Sequence, residues 1–215
     1  MLAVNGNRLV TKSVFTRNFK MTAILKTIAS AFTSSGIETP SYTVVRKNED
    51  YEERAYPATM WVSTTEKGMD HSYSVRQGFW KLFNYIQGKN EKDMKIDMTA
   101  PVATRILPGA GPNCENTFTV SFFIGKKHEG NPPKPTNPDV FLEEWPAKHV
   151  FVRSFGGFAN DDKWIDHSQA LANSLQKNDE PIAQDYYYTA GYDSPFKMFN
   201  RTNEVWFEKQ KSQEH

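Results

Sequence analysis

The stretch YSVRQGFWKLFNYIQG, residues 73–88, sets one arginine among several large aromatic side chains. Read as a helix at about 100° per residue, it places Val75, Phe79, Leu82 and Ile86 in one narrow arc, the stripe that a sheet would bury. Tyr73, Arg76, Trp80 and Phe83 fall on the adjoining arc, more apolar surface than a core helix needs. Aromatic faces around a guanidinium suit a flat, apolar, anionic molecule: the rings supply contact area and Arg76 supplies charge-assisted hydrogen bonds to carboxylates. The alternative is that the sheet wraps far enough to bury both arcs.

A second group with binding chemistry is AGYDSPFKMFNR, residues 190–201. It is too rich in Gly and Pro for regular structure, yet it carries Tyr192, Phe196, Met198 and Phe199 beside Lys197 and Arg201, a mixture found in ligand-binding loops and equally in tucked structural ones. Catalytic chemistry is not indicated. There is no Gly-rich phosphate loop, G-x-S-x-G elbow or H-E-x-x-H helix. His71, His128, His149, His167 and His215 form no close-spaced pair suited to a metal, and Cys114 lies in a turn-forming loop with no histidine near it in sequence. Glu52–Glu53 and Glu143–Glu144 sit in charged, strand-like surroundings and are expected at solvated edges. No catalytic residue and no metal site is therefore expected.

The whole chain agrees with a locally built site. Its 215 residues carry a net charge of +1, which leaves no global attraction to nucleic acid or to an acidic membrane. A single cysteine excludes an internal disulfide. No apolar run approaches the roughly 20 residues that cross a bilayer as a helix. Residues 1–37 hold Arg8, Lys12, Arg17, Lys20 and Lys26 but no acid, with many Ser and Thr. That composition fits a mitochondrial transit peptide, or a disordered or alternative leader with Met21 as a second start; Lys26 interrupts the apolar run that a secretory signal would need.

The elements that must position these residues repeat. EERAYPATMWV (52–62) is echoed by EEWPAKHVFV (143–152), with Pro57-Ala58 matching Pro146-Ala147 at an offset of 89, and MTAP (98–101) by YTAG (188–191) at an offset of 90. Between the paired motifs lie a helix from about Asp70 to Gln87, with Asp70 or Ser72 to cap it and Gly88 to end it, and a second from about Asp161 to Lys177. Two units of about 90 residues follow, each strand, strand, helix, strand, strand, joined by the Pro-rich linker GNPPKPTNPD. Pairing them about a pseudo-two-fold axis, as a distorted barrel or sandwich with a helix on each side, buries the surface each would leave bare. The expected organisation is a leader over 1–40, one domain over 41–210 with halves at about 41–128 and 139–209, and a tail over 211–215.

FWKLFNYIQGKNEKDMKIDMTAPV, NPPKPTNPDVFLEE, VFVRSFGGF and YYYTAGYDSPFKMFNRTNEVW resemble the SOUL haem-binding protein family, and YEERAY resembles a second branch of it. The resemblance spans about residues 41–209. It implies an α+β fold: a distorted eight-stranded antiparallel β-barrel built from two pseudo-symmetric ββαββ halves with two flanking helices. It also implies reversible, non-covalent binding of haem and other porphyrins, in keeping with the lack of a C-x-x-C-H motif for covalent attachment. In one type of site in the family the porphyrin lies against the first helix and a loop near the C-terminus. Carried over, those positions are Arg76, Phe79, Phe83, Asn84 and Lys197. Phe79 and Phe83 keep apolar contact where methionine can stand, whereas Asn84 replaces a lysine and removes one partner for a propionate. A histidine held to be the iron ligand in some members corresponds to Ala55, which leaves His71 as the nearest substitute in sequence.

The function expected is haem or porphyrin buffering or transport, without enzymatic activity. The alternative is an interaction protein, acting in mitochondrial permeability and cell death, that docks a protein partner through Trp164, Leu171 and Leu175 of helix 161–177. A cytoplasmic location is expected, or a mitochondrial one if the basic leader is a transit peptide.

Overall fold

The computed structural model describes residues 36–210 apart from 112, 113, 184 and 195. The proposed leader up to residue 35 and the tail from 211 lie outside the described residues.

After a first strand β1 (Thr43–Lys47), the chain forms β2 (Glu52–Tyr56), β3 (Thr59–Gly68), helix α1 (His71–Ile86), β4 (Val102–Leu107) and β5 (Asn116–Phe123). The same series then recurs as β6 (Val140–Trp145), β7 (Lys148–Gly156), helix α2 (Asp161–Lys177), β8 (Tyr187–Gly191) and β9 (Thr202–Glu208). All nine strands form one antiparallel sheet in the order β1-β2-β7-β9-β8-β4-β5-β3-β6. Without β1 the order is palindromic: exchanging each strand for its counterpart in the other half reverses it, with the axis between β8 and β4. The leading strand of each half pairs with the other half, β2 on β7 and β6 on β3. Neither half completes its sheet alone.

The ninth strand is a departure from the eight expected. YTVVRKNEDYEERAY reads as one strand-like stretch, but Asn48 breaks it: its side-chain oxygen accepts from the backbone N–H of Asp50 and of Tyr51, at 2.9 and 2.8 Å. That Asx turn folds β1 back onto β2. The Pro-rich linker is likewise anchored. Tyr85 donates to the Pro133 carbonyl at 2.8 Å and Glu91 N–H to the Lys134 carbonyl at 2.9 Å, which fastens the segment to the connection after α1.

The sheet curls into a half-barrel with the helices on its outer face. On the inner face Trp61, Phe123, Trp145, Val150, Val152, Tyr188 and Trp206 pack together, with Trp61 stacked on Trp145 at 4.2 Å. Outside, α2 lays Trp164, Leu171 and Leu175 on Phe151 and Val205. α1 packs on β3 and β5. Gly88, at φ 111°, follows its last turn as expected, a conformation that glycine adopts without Cβ strain.

Candidate functional site

The buried face of α1 is not the stripe that hydrophobicity alone picks out. Ser74, Gly78, Leu82, Phe83, Tyr85 and Ile86 are buried, whereas Val75 and Phe79 are half-buried. The two small residues explain the rotation. A Cβ at Gly78 would lie 2.6 Å from Val120 Cγ2, so the helix approaches β5 too closely for any larger side chain there. Apolar side chains are thereby displaced to the flank, where Phe79 stacks on Phe83 at 5.7 Å and meets Trp80 and Phe122 edge-on at 5.7 and 5.3 Å.

Of the expected porphyrin-facing residues, the structure brings Phe79 and Phe83 together. Phe83 is only 5% exposed and supports the cluster from beneath, while Phe79 and Trp80 keep accessible surface. Arg76 is exposed, its guanidinium 5.7 Å from the Tyr73 ring centroid, and it has no carboxylate partner among the described residues. Asn84 is exposed one residue beyond Phe83. Lys197 lies in the loop between β8 and β9 and pairs with Asp193. Among the described residues no hydrogen bond, ion pair or ring contact links Arg76, Asn84 or Lys197 to one another. Arg201, the loop's other cation, is structural: it donates to the carbonyls of Ser194 and Lys197, both at 2.7 Å, and covers the Phe158 ring at 4.4 Å. The apolar side chains of that loop are displayed, with Met198 64% and Phe199 80% exposed.

His71 is not a free ligand. Its Nε2 lies 3.0 Å from the Thr189 hydroxyl, and its ring is wedged between Phe118 and Trp164. Burial pushes its imidazole down to about 4, against the attraction of Asp161 and Asp70. The residue belongs to the junction where the helix starts meet: Asp161 of α2 accepts from the His71 and Ser72 backbone N–H groups at 3.1 and 3.2 Å, capping α1 beside Asp70.

Two charged centres escaped the sequence reading. Glu53, expected at a solvated edge, is 2% exposed. It accepts from Arg46 Nε at 2.8 Å, Lys209 Nζ at 2.8 Å and His149 Nδ1 at 3.0 Å. Burial would raise its carboxyl, but the bonds from Lys209, Arg46 and His149 outweigh that and hold it at about 2. On the other face of the same strand, buried Arg54 pairs with Glu204, which also accepts from Tyr192 and Trp206. The period-2 alternation of EERAY implies this split, but not the partners, of which His149, Lys209 and Glu204 lie more than 90 residues away.

Two concavities adjoin that strand. The inner-face cup of Tyr56, Trp61, Trp145, Tyr188 and Trp206 holds only about 10 Å³ of free space, because Lys148 lies 4.5 Å from the Trp145 ring; it is packed core. A groove of about 610 Å³ runs along the ends of β2 and β7, lined by Ser41, Tyr42, Thr43, Ala55, Tyr56, Pro57, Ala147, Lys148 and His149. No group of three or more metal-ligating side chains occurs among the described residues, and no helix there is long and apolar enough to cross a membrane. The α2 side chains expected to dock a partner, Trp164, Leu171 and Leu175, are at most 8% exposed and serve the core.

Comparison with known proteins bears on the same residues. The family described as SOUL heme-binding protein matches residues 37–208. Human "Heme-binding protein 2" is 47% identical over 156 residues, 73% of this chain and 76% of that protein. Mouse "Heme-binding protein 1" is 32% identical over 166 residues, 76% of this chain and 86% of that protein. Among solved structures, the EcmrR–DNA complex matches with a TM-score of 0.56 at 10% identity over 95% of this chain and 70% of that one, a likeness of fold alone.

Proposed function

The chain belongs to the SOUL haem-binding family, and from that premise we propose that it binds haem or a related porphyrin reversibly and without a covalent bond, in buffering or transport and not in catalysis. The observation that carries this reading is Arg76: an exposed guanidinium with no carboxylate partner among the described residues, on the flank where Phe79 and Trp80 keep accessible surface. A porphyrin laid on that flank would cover apolar area and bring a propionate to Arg76, with Phe83 backing the rings, Asn84 at the margin, and Lys197 offered by the loop between β8 and β9. The relatives' names support binding over catalysis, since both are heme-binding proteins.

Titration of purified protein with haemin, followed at the Soret band, tests this. Saturable binding is expected, weakened about tenfold in Arg76→Ala, the equivalent of roughly 1.4 kcal/mol for one lost charge-assisted contact. Unchanged affinity in both Arg76→Ala and Phe79→Ala would remove the helix flank from the reading, and absence of saturable binding would remove the reading itself.

A further inference from the structure

We propose that the loops between β7 and α2 and between β8 and β9 together form a tip that dips into the surface of a lipid bilayer, with Met198 and Phe199 reaching deepest. The partner is a lipid surface and not the porphyrin, so the proposal stands whether or not haem binds.

Exposure along the β8–β9 loop rises to a peak. Ser194 is buried, Phe196 is 46% exposed, Met198 64% and Phe199 80%, and Asn203 is buried again. Phe199 is thus the apex, and the most exposed large apolar side chain among the described residues. Phe158 of the β7–α2 loop, itself 49% exposed, is joined to the base of this loop: Arg201 covers its ring at 4.4 Å, and Asn203 donates to the neighbouring Gly157 carbonyl at 2.9 Å. Four large apolar side chains are therefore left to water by two loops that are tied together. A cluster of that kind marks a contact with something apolar.

Two features select a lipid surface over a protein. Neighbouring side chains leave the backbone in different directions, yet Phe196, Met198 and Phe199 are all exposed, so the tip is apolar on more than one side. A protein covers one face; the acyl boundary of a bilayer closes around a tip from every side. The polar groups behind the tip are, moreover, satisfied within the chain. Arg201 donates to the Ser194 and Lys197 carbonyls, Ser194 Oγ accepts from the Phe196 N–H, Asp193 accepts from the Thr202 N–H and pairs with Lys197, and Lys163 Nζ donates to the Phe158 carbonyl. Each of these groups would cost free energy if it approached an apolar phase unpaired, and none does.

Charge does not drive the contact. Residues 157–163 and 192–201 carry Lys163, Lys197 and Arg201 against Asp161, Asp162 and Asp193, which cancel. Insertion is therefore expected on neutral lipid and in high salt alike.

The test is co-sedimentation of the full chain with phosphatidylcholine vesicles at about 0.1 and about 0.5 M salt. Neutral lipid is used because the basic residues 1–37 would by themselves draw the chain to an anionic surface. The variants are Phe158→Ser, the double variant Met198→Ser/Phe199→Ser, and Leu107→Ser as an exposed apolar control elsewhere. The expected result is salt-independent partition that falls about tenfold or more in the double variant, less in Phe158→Ser and not at all in Leu107→Ser, since each large apolar side chain withdrawn from water is worth about a factor of ten. Phe199→Trp should add fluorescence that lipids brominated in their acyl chains quench. Equal partition of wild type and double variant, loss of partition in high salt, or no quenching at position 199 would each overturn the proposal. Weaker haemin binding by the double variant with vesicle partition unchanged would give the tip to the porphyrin instead. Self-association that the double variant abolishes, with no capture by vesicles, would give it to a second copy of the chain; either result overturns the lipid contact.

Discussion

The two halves set their helices on equivalent strands, yet they close that contact with opposite materials. The N-caps Asp70 and Asn160 are 90 positions apart, and at the same offset Ser74 of α1 corresponds to Trp164 of α2. Small residues draw α1 onto β5; a tryptophan and two leucines hold α2 off its sheet and fill the space between. The consequence appears on the outer surface. α2 spends Trp164, Leu171 and Leu175 on the core, whereas α1, with Ser74 and Gly78 at its contact, carries Phe79 and Trp80 on a flank. One duplicated architecture thus yields one helix whose aromatic side chain is spent on the sheet and one that keeps aromatic surface on its flank.

The contrast is broken most severely from the α2 side. Leu171 and Leu175 are fully buried, so Leu171→Ala should cost about 3 kcal/mol or more through lost burial and the cavity left behind, read as a lower urea midpoint at unchanged slope. The junction between the helices is next. With His71 held at about 4 in the fold and at its ordinary 6.5 when unfolded, the unfolded chain takes up the extra proton, so stability falls as the pH drops below 6.5. Between pH 6.5 and 4.5, above the range where Glu53 begins to lose its own contribution, the loss should reach roughly 2–3 kcal/mol, less in His71→Gln. His167, shifted the same way by burial, adds to the wild-type slope. The smallest effect separates the two contacts directly. Gly78→Ala should destabilise by about 1–2 kcal/mol, because its Cβ meets Val120 and outweighs the gain in helix propensity, while Ser168→Ala, the counterpart in α2, should stay within about 0.5 kcal/mol. Equal costs at the two positions, measured by thermal or urea unfolding, would mean that close approach is not what distinguishes the helices.

Much of the architecture could be read from the chain. The matched motifs and capping residues located both ββαββ units, because strand and helix periodicity, turn residues and caps are local in sequence. The ninth strand was hidden because a single Asn48 side chain divides one strand-like stretch into two. The α1 face was misplaced by one position because hydrophobicity ranks Val75 and Phe79 above Ser74 and Gly78, although close packing selects for small size and not for apolarity.

The candidate site divides in the same manner. The sequence by itself determined that aromatic groups and a guanidinium share the flank of one helix and that Ala55 offers no imidazole, since both depend only on residue identity and spacing. Only the tertiary structure decided that Arg201 is consumed in holding its loop, that Glu53 is buried, and that His149 faces Ala55 across the β2–β7 pair. Strand register between segments nearly a hundred residues apart is set by which faces the completed sheet can bury, and no stretch of sequence contains that information until both halves are in place.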